Sequence, residues 1–110
     1  LLKRNEAYHQ LCERGAFQRQ PLVTAPNALL QPFGILDHDC IFWLGDLNYR
    51  LTGLSDTDIR ALVAQRNWAT LLTCDQLLQQ KQNGLAFVPF QEGRIDFAPT
   101  YKTIVGSSQY

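Results

Sequence analysis

The chain has 110 residues, of which 45% are apolar and 11% aromatic, a composition that predicts a packed core and argues against a disordered segment. Ten basic and ten acidic residues give a formal net charge of zero. Because there is no overall positive field and no run of basic residues, we expect no nucleic-acid partner, and any anion site must be local.

The cysteine usage indicates a reducing compartment. The three cysteines are widely spaced, lie at apolar positions and form no Cys-x-x-Cys pair: Cys12, Cys40 and Cys74. They predict reduced core thiols and a cytoplasmic location. No apolar stretch approaches the roughly 18 residues that a membrane-spanning helix needs, so no such helix is expected.

The first 39 residues predict a helix followed by a long connection. Apolar residues recur at helical spacing from Leu1 to Arg14, and Gly15 stands where helices commonly stop. Residues 17–39 contain three prolines and no sustained period, which predicts a long surface connection. Its length makes it a candidate for function, and the lack of charged clusters favours the alternative of an insertion without chemistry. Three residues at the end of that connection could ligate a metal ion: Asp37, His38 and Asp39. We interpret them instead as the solvated entry to a strand.

The stretch that follows passes from apolar to polar within a few positions. Residues 40–44 are continuously apolar and rich in aromatic residues, which predicts a strand buried on both faces. If the backbone stays extended, Asp46 and Asn48 project to the same side while Leu47 points back into the core. A carboxylate and a carboxamide aimed at one spot suit the joint binding of a phosphate oxygen and an attacking water. The alternative is an ordinary turn, which the residue types and spacing alone favour.

Two helices are predicted in the middle of the chain. Ser55-Asp56-Thr57-Asp58 is a capping box that predicts a helix over residues 56–65, with three apolar residues facing inward: Ile59, Leu62 and Val63. Asn67 is predicted to cap a second, continuous helix that ends at Asn83-Gly84. Within it, Asp75 is interpreted as a structural hydrogen-bond acceptor of open role, and residues 79–82 predict a solvated face.

The last quarter of the chain predicts short extended segments at residues 86–88 and 94–97. Pro99 fixes its own φ and would present Tyr101 and Lys102 on a stiff segment. A phenol beside an ammonium suits a phosphate dianion, and the alternative is an exposed pair on a loop. Aromatic residues along the chain are predicted to pack in the core: Phe42, Trp43, Phe87, Phe90 and Phe97.

The octapeptide Trp-Leu-Gly-Asp-Leu-Asn-Tyr-Arg at residues 43–50 resembles the signature of the inositol polyphosphate 5-phosphatases, Mg²⁺-dependent members of the endonuclease/exonuclease/phosphatase superfamily. The blocks of this catalytic domain follow one another in the same order along nearly all of the chain: Arg4-Asn5 with Tyr8, Leu71-Leu72 with Asp75-Gln76-Leu77, Phe90-Gln91-Glu92-Gly93, Phe97, and Pro99-Thr100-Tyr101-Lys102. They resemble most closely the type II subgroup, which acts on inositol phosphates and phosphoinositides at membranes.

The resemblance implies an α/β (α+β) fold in which residues 1–110 form a segment of the four-layer α/β/β/α sandwich of the DNase I-like type. It further implies a partial catalytic domain, since the family's second signature, its catalytic histidine and its Mg²⁺-ligating glutamate are not among these residues. Thr103-Ile104 also stands where Tyr-Asp is usual in the family. We therefore expect this segment to be inactive by itself.

The same resemblance assigns roles around the octapeptide. Asp46 would orient or deprotonate the attacking water, and Asn48 would hold the scissile phosphate through its amide. Tyr49 and Arg50 are expected at the substrate. For Arg50 three interpretations stay open, because its guanidinium could bind phosphate, brace the Asp46 carboxylate or pack its stem along Trp43.

Further along, the resemblance implies that Tyr101 and Lys102 bind the phosphate at the 4-position of the inositol ring. Mg²⁺ is the implied cofactor, and no residue of this chain is assigned as its ligand. The expected partners are a phosphoinositide head group or a soluble inositol polyphosphate, with peripheral membrane contact through the parent protein.

The expected function is Mg²⁺-dependent hydrolysis of the 5-phosphate of phosphoinositides and soluble inositol polyphosphates by the parent domain, in the cytoplasm and at the periphery of membranes. One alternative is a nuclease or sphingomyelinase of the same superfamily, in which Gly-Asp-x-Asn recurs. Two motifs argue against this alternative: Tyr49-Arg50 and Pro99-Thr100-Tyr101-Lys102. The lack of a basic stripe that could bind duplex DNA also argues against a nuclease. Another alternative is a non-catalytic fragment that serves as an interaction piece.

Overall fold

The computed structural model describes residues 1–17, 33–107 and 110, which belong to two compact units, Leu1–Asn48 and Tyr49–Tyr110. In the first unit, helix α1 (Leu2–Arg14) is followed by two short strands, β1 (Ala16–Phe17) and β2 (Phe33–Gly34), and by a 3₁₀ turn at Ile35–Asp37. The strands pair antiparallel, with Phe17 opposite Phe33. Most of the predicted surface connection, residues 18–32, lies outside the described residues.

Helix α1 confirms the amphipathic helix predicted for the start of the chain. Its last turn closes with the Gly15 N–H donating to the Leu11 carbonyl at 2.9 Å. A Cβ at Gly15 would lie 2.7 Å from that carbonyl oxygen and 2.8 Å from the Ile35 side chain, so only glycine fits this position. The buried face of α1 carries Tyr8, whose ring packs on Trp43 with 5.3 Å between ring centroids.

Asp37 and His38 stabilise the local structure before residue 40. Asp37 Oδ2 accepts the Gly34 N–H at 2.7 Å, and the His38 ring packs against Phe17 and Phe33 with ring centroids 4.8 and 4.7 Å apart. These residues are exposed, as predicted, but they do not lead into a strand.

The predicted buried strand at residues 40–44 is wrong for this chain. Within the described ranges these residues pair with no strand, and Phe42 and Leu44 are 85% and 83% exposed. A strand buried on both faces requires neighbouring strands for its backbone and covering layers for its side chains. Cys40 is likewise exposed rather than in a core, whereas the other two cysteines are half-buried and all three thiols are free.

The second unit contains three helices: α2 (Asp56–Ala64), α3 (Trp68–Thr73) and α4 (Gln76–Gln82). The predicted capping box is confirmed at α2, where Ser55 Oγ accepts the Asp58 N–H at 3.1 Å and the Ser55 N–H donates to Asp58 Oδ2 at 3.3 Å. The three residues predicted to face inward on α2 are half-buried. Local capping chemistry therefore determines where this helix begins.

The single helix predicted from Asn67 onward is instead two helices. Asn67 Oδ1 caps α3 by accepting the Thr70 N–H at 3.2 Å, as predicted. Asp75 Oδ1 then accepts the N–H groups of Leu77 and Leu78 at 2.6 and 3.1 Å and starts α4. Because a short acidic side chain competes for backbone donors, it breaks the ladder that a continuous helix would need. Asp75 is therefore the N-cap residue of α4.

The core of the second unit differs in part from the prediction. Phe87 is buried and packs on Phe90 and Tyr49, with ring centroids 5.9 and 6.4 Å apart. Gln80 is buried, so the solvated face predicted for residues 79–82 is wrong at that position. Phe97 is exposed and is not a core residue.

The extended segments predicted at residues 86–88 and 94–97 form no strands within the part of the chain that the structure describes. Among the same residues, no helix has both the length and the apolar composition of a membrane span. The described residues thus combine helices with one short strand pair, and the four-layer arrangement stays a prediction.

Candidate active site

Asp46 and Asn48 are held together by two hydrogen bonds at the end of the first unit. The Asn48 N–H donates to Asp46 Oδ1 at 2.9 Å, and Asn48 Nδ2 donates to the Asp46 carbonyl at 3.2 Å. This is an Asx turn, the geometry in which an Asp side chain binds the backbone two residues further on. The alternative interpretation of this stretch as a turn is therefore correct for its backbone.

The turn leaves both polar side chains exposed, and their projection to one common side stays a prediction. Asp46 and Asn48 are exposed, whereas Leu47 between them is half-buried. The backbone is not extended throughout, because Asn48 has φ +60°, in the left-handed region that Asn tolerates better than most residues. The pair thus owes its proximity to the turn rather than to strand alternation.

Gly45 prepares this turn. Its φ is +138°, a conformation that L side chains rarely adopt, although a Cβ there would meet no heavy atom within 4 Å. The requirement for glycine is therefore conformational rather than steric. It ends the apolar stretch and turns the chain toward Asp46.

The Asp46 and Asn48 side chains keep free hydrogen-bonding capacity. Within the part of the chain that the structure describes, one carboxylate oxygen of Asp46 binds the Asn48 amide, and the other oxygen carries no hydrogen bond. Asn48 retains its side-chain carbonyl and one N–H of its amide. The arrangement can accept a hydrogen bond from water and donate one to an anionic oxygen a short distance away.

Tyr49 and Arg50 begin the second unit and make different contacts. The Tyr49 ring packs edge-on to the buried Phe87 ring. Arg50 is exposed, and among the described residues of its own unit its guanidinium takes part in no ion pair or hydrogen bond. That guanidinium is therefore available in this unit to a ligand oxygen, whereas Tyr49 is half-buried and held by packing.

The Arg50 backbone is fixed by a residue that the sequence interpretation did not single out. Its N–H donates to Gln76 Oε1 at 3.1 Å, and its carbonyl accepts the Gln76 N–H at 3.0 Å. Next to it, Thr52 donates its N–H to the Cys74 carbonyl at 2.9 Å. Gln76 stands in one of the blocks that carry the resemblance, but no local pattern marks a partner 26 positions from Arg50.

Tyr101 and Lys102 lie in the same unit as Arg50, in a stretch without helix or strand. Both are exposed, and Tyr101 is 75% exposed. Pro99, which precedes them, is half-buried. The structure thus presents the phenol and the ammonium to solvent, and their role as ligands of a second phosphate stays a prediction.

No metal centre is assembled by the described residues alone. In residues 1–17, 33–107 and 110, no three or more His, Cys, Asp or Glu side chains come together in a way that could hold a metal ion. Divalent cations of the Mg²⁺ type need several oxygen ligands. Asp46 with Asn48 does not meet that requirement.

The sequence matches, over residues 1–110, the family described as Endonuclease/Exonuclease/phosphatase family 2. The chain belongs to this family. This confirms the superfamily indicated by the octapeptide and by the order of the other blocks.

Among named proteins, the chain is similar to inositol polyphosphate 5-phosphatases. It is 40% identical to the type IV inositol polyphosphate 5-phosphatase 3 of Arabidopsis thaliana over 109 residues, which cover 99% of this chain and 15% of that protein. It is 41% identical to the type I inositol polyphosphate 5-phosphatase 5 of the same plant over 109 residues, 99% of this chain and 20% of that protein. It is 43% identical to human synaptojanin-1 over 95 residues, 84% of this chain and 6% of that protein.

The chain thus spans at most about a fifth of the length of these three relatives. The similarity to 5-phosphatases confirms the predicted family. The assignment to the type II subgroup stays a prediction.

Proposed function

We propose that the protein hydrolyses the 5-phosphate of phosphoinositides such as phosphatidylinositol 4,5-bisphosphate and of soluble inositol polyphosphates. One observation carries the proposal: the turn that joins Asp46 to Asn48 lies in a chain that is 40% identical, over 99% of its length, to a protein named as a 5-phosphatase. We further propose that it acts in the cytoplasm at the periphery of membranes, where such lipids are found.

The geometry of the turn supports specific roles for its two side chains. Phosphomonoester hydrolysis requires a water in line with the leaving oxygen and donors that hold the phosphoryl group. The Asp46 carboxylate oxygen that faces solvent accepts a hydrogen bond from the attacking water and can take its proton. The remaining amide N–H of Asn48 donates to a phosphoryl oxygen, because the two hydrogen bonds within the turn leave it unused.

The cationic and phenolic groups of the second unit would bind the other parts of the substrate. The Arg50 guanidinium is planar and suited to two oxygens of one phosphate. Tyr101 and Lys102, one a neutral donor and the other a cation, would bind the phosphate at the 4-position of the ring. Their exposure supports this, since neither group is committed to the core.

The proposal includes Mg²⁺ as cofactor, on the strength of the family resemblance. The described residues do not fit a complete Mg²⁺ site, since no group of three metal-binding side chains forms among them. The roles proposed above for Asp46 and Asn48 therefore depend only on the hydrogen-bonding groups of these two residues.

The test is phosphate release by the intact protein from inositol 1,4,5-trisphosphate and from short-chain phosphatidylinositol 4,5-bisphosphate, with Mg²⁺ and after chelation. Asp46→Asn and Asn48→Ala are each expected to lower kcat by about a hundredfold or more, the usual effect of removing a positioned acid–base or transition-state donor. The matched control is Asp39→Asn, which changes an exposed aspartate of the same unit and is expected to keep wild-type turnover. Turnover near wild type in either site variant would contradict the roles, and plasmid cleavage without inositol phosphate turnover would contradict the substrate.

A further inference from the structure

Residues at both ends of helix α4 contact the neighbouring residues Tyr49 and Arg50. At the start of the helix, Gln76 binds the N–H and the carbonyl of Arg50. Shortly after its end, the buried ring of Phe87 packs edge-on to the Tyr49 ring, with 6.4 Å between ring centroids and 78° between ring planes. Two successive residues of the candidate site are therefore held by one seven-residue helix and the chain that follows it.

The chain between α4 and Phe87 has a defined backbone. Helix α4 ends in a Schellman motif, in which the Leu85 N–H donates to the Gln80 carbonyl at 2.9 Å. The Gly84 N–H donates to the Lys81 carbonyl at 3.1 Å, and Gly84 has φ +72°, the left-handed conformation that this motif requires. Hydrogen bonds thus set the direction in which the chain leaves α4 toward Phe87.

Phe87 has a backbone conformation that its own side chain disfavours. Its φ is +56°, in the left-handed region, where a bulky L residue is rare because its Cβ crowds the following carbonyl oxygen. The Phe90 N–H donates to the Phe87 carbonyl at 3.1 Å, and the two rings pack with centroids 5.9 Å apart. Such a conformation persists only where the surrounding structure stabilises it, and it is common at functional sites. The contacts of the buried ring with Tyr49 and Phe90 therefore offset the unfavourable backbone.

We propose that Phe87 is a positioning residue of the substrate site, which acts through Tyr49 on Arg50. Tyr49 is half-buried, whereas Arg50, the next residue, is exposed. The Phe87 contact fixes the chain that precedes Arg50, and the Gln76 contact fixes the Arg50 backbone itself. Less conformational freedom is then lost when the guanidinium binds a phosphate. The inference rests on the proposed function in one respect, namely that Arg50 binds a phosphate of the substrate.

This role predicts an effect on affinity rather than on the chemical step. In the proposed function the chemistry belongs to Asp46 and Asn48, whereas a phosphate held by Arg50 is bound both before and in the transition state. Loss of such uniform binding raises KM and leaves kcat nearly unchanged. A residue with a purely structural role would instead lower the stability of the protein and leave the affinity of the folded molecules as it was.

The first experiment measures, by calorimetry, the binding of a slowly hydrolysed phosphorothioate analogue of inositol 1,4,5-trisphosphate to the intact protein. Phe87→Leu removes the ring but keeps an apolar side chain, and it is expected to raise the dissociation constant by about fivefold or more. Phe87→Met, a milder change that also removes the ring, replaces it if Phe87→Leu does not fold.

The matched control is Phe90→Leu, which removes the other ring of the Phe87–Phe90 contact. Phe90 is half-buried, so both substitutions should lower stability in chemical denaturation. Only Phe87→Leu should weaken binding, because Phe87 is the member of the pair that packs on Tyr49. Equal weakening of binding by the two variants would overturn the inference.

The second experiment repeats the substitution in an Arg50→Ala background. If Phe87 acts through Arg50, Phe87→Leu should change the dissociation constant there by less than about twofold, because the positioned group is already absent. The same weakening with and without the Arg50 guanidinium would contradict the positioning role.

Turnover of inositol 1,4,5-trisphosphate with Mg²⁺ separates this inference from the proposed function. Phe87→Leu should raise KM and keep kcat within about twofold of wild type. If the wild type binds the analogue with the expected dependence on Phe87 but hydrolyses no substrate, the proposed function fails while the positioning role stands. If the wild type hydrolyses the substrate but Phe87→Leu keeps the wild-type KM and affinity, the positioning role fails while the function stands. Absence of both binding and turnover in the wild type would overturn both.

Discussion

Gln76 binds both hydrogen-bonding groups of the Arg50 backbone. Its side-chain carbonyl accepts the Arg50 N–H at 3.1 Å, and its own N–H donates to the Arg50 carbonyl at 3.0 Å. Gln76 is the first residue of α4, so the start of that helix fixes the backbone from which the Arg50 guanidinium extends. An arginine that binds phosphate benefits from such a fixed backbone, because less conformational freedom is lost when the ligand binds.

Replacing Gln76 tests this relationship. Gln76→Ala removes the acceptor of the Arg50 N–H and should lower the free energy of unfolding by about 1 kcal/mol, the typical value of one such hydrogen bond. Gln76→Glu keeps an acceptor at the same position and should retain most of that stability. Chemical denaturation of the intact protein measures both. Gln82→Ala, at the exposed end of the same helix, is the control, and a loss as large as that of Gln76→Ala would contradict the specific role.

Asp75 is predicted to determine the break between α3 and α4. Asp75→Ala leaves the N–H groups of Leu77 and Leu78 without their acceptor and should destabilise the second unit by about 1 kcal/mol. Asp75→Asn keeps a side-chain oxygen that can cap the helix and should be much less harmful. The free energy of unfolding again provides the measurement, and equal effects of the two substitutions would argue that the charge matters more than the cap.

Gly45→Ala is predicted to damage the turn that joins Asp46 and Asn48. Alanine at φ +138° is strained, and strain of this kind costs about 1 to 3 kcal/mol. We expect a lower melting temperature and a lower kcat, since the chain must change direction before the site. Gly93→Ala is the control, because a Cβ there also meets open space and Gly93 does not have a positive φ. Equal behaviour of both variants would show that the Gly45 conformation is not required.

Lys102→Ala is predicted to change substrate preference rather than stability. If the ammonium binds the 4-phosphate, kcat/KM for 4,5-bisphosphorylated substrates should fall by about tenfold or more, the usual effect of losing a hydrogen bond to a charged group. Substrates that lack a 4-phosphate should be affected little. Lys3→Ala, an exposed lysine of α1, provides the control for general charge effects. Equal losses on both kinds of substrate would contradict the assignment.

The elements that the sequence predicts correctly depend on groups that are close along the chain. The end of α1 at Gly15, the capping box at Ser55 and the Asn67 cap each involve hydrogen bonds that span four residues or fewer. The polar pair Asp46 and Asn48 belongs to the same class, since its turn is closed within three residues. Residue types and spacing therefore determined these features, because the partners that satisfy each backbone group are visible in the sequence.

Other features were decided by tertiary structure. Gln80 is buried although its neighbours in sequence are polar, and Arg50 is fixed by a residue 26 positions away. Phe42 is exposed because burial of a strand depends on neighbouring strands and covering layers. The hydrophobic pattern of the sequence indicates which side chains would gain free energy from burial. The surfaces that bury them come from distant parts of the chain. Only the folded structure therefore decides which of these side chains become buried.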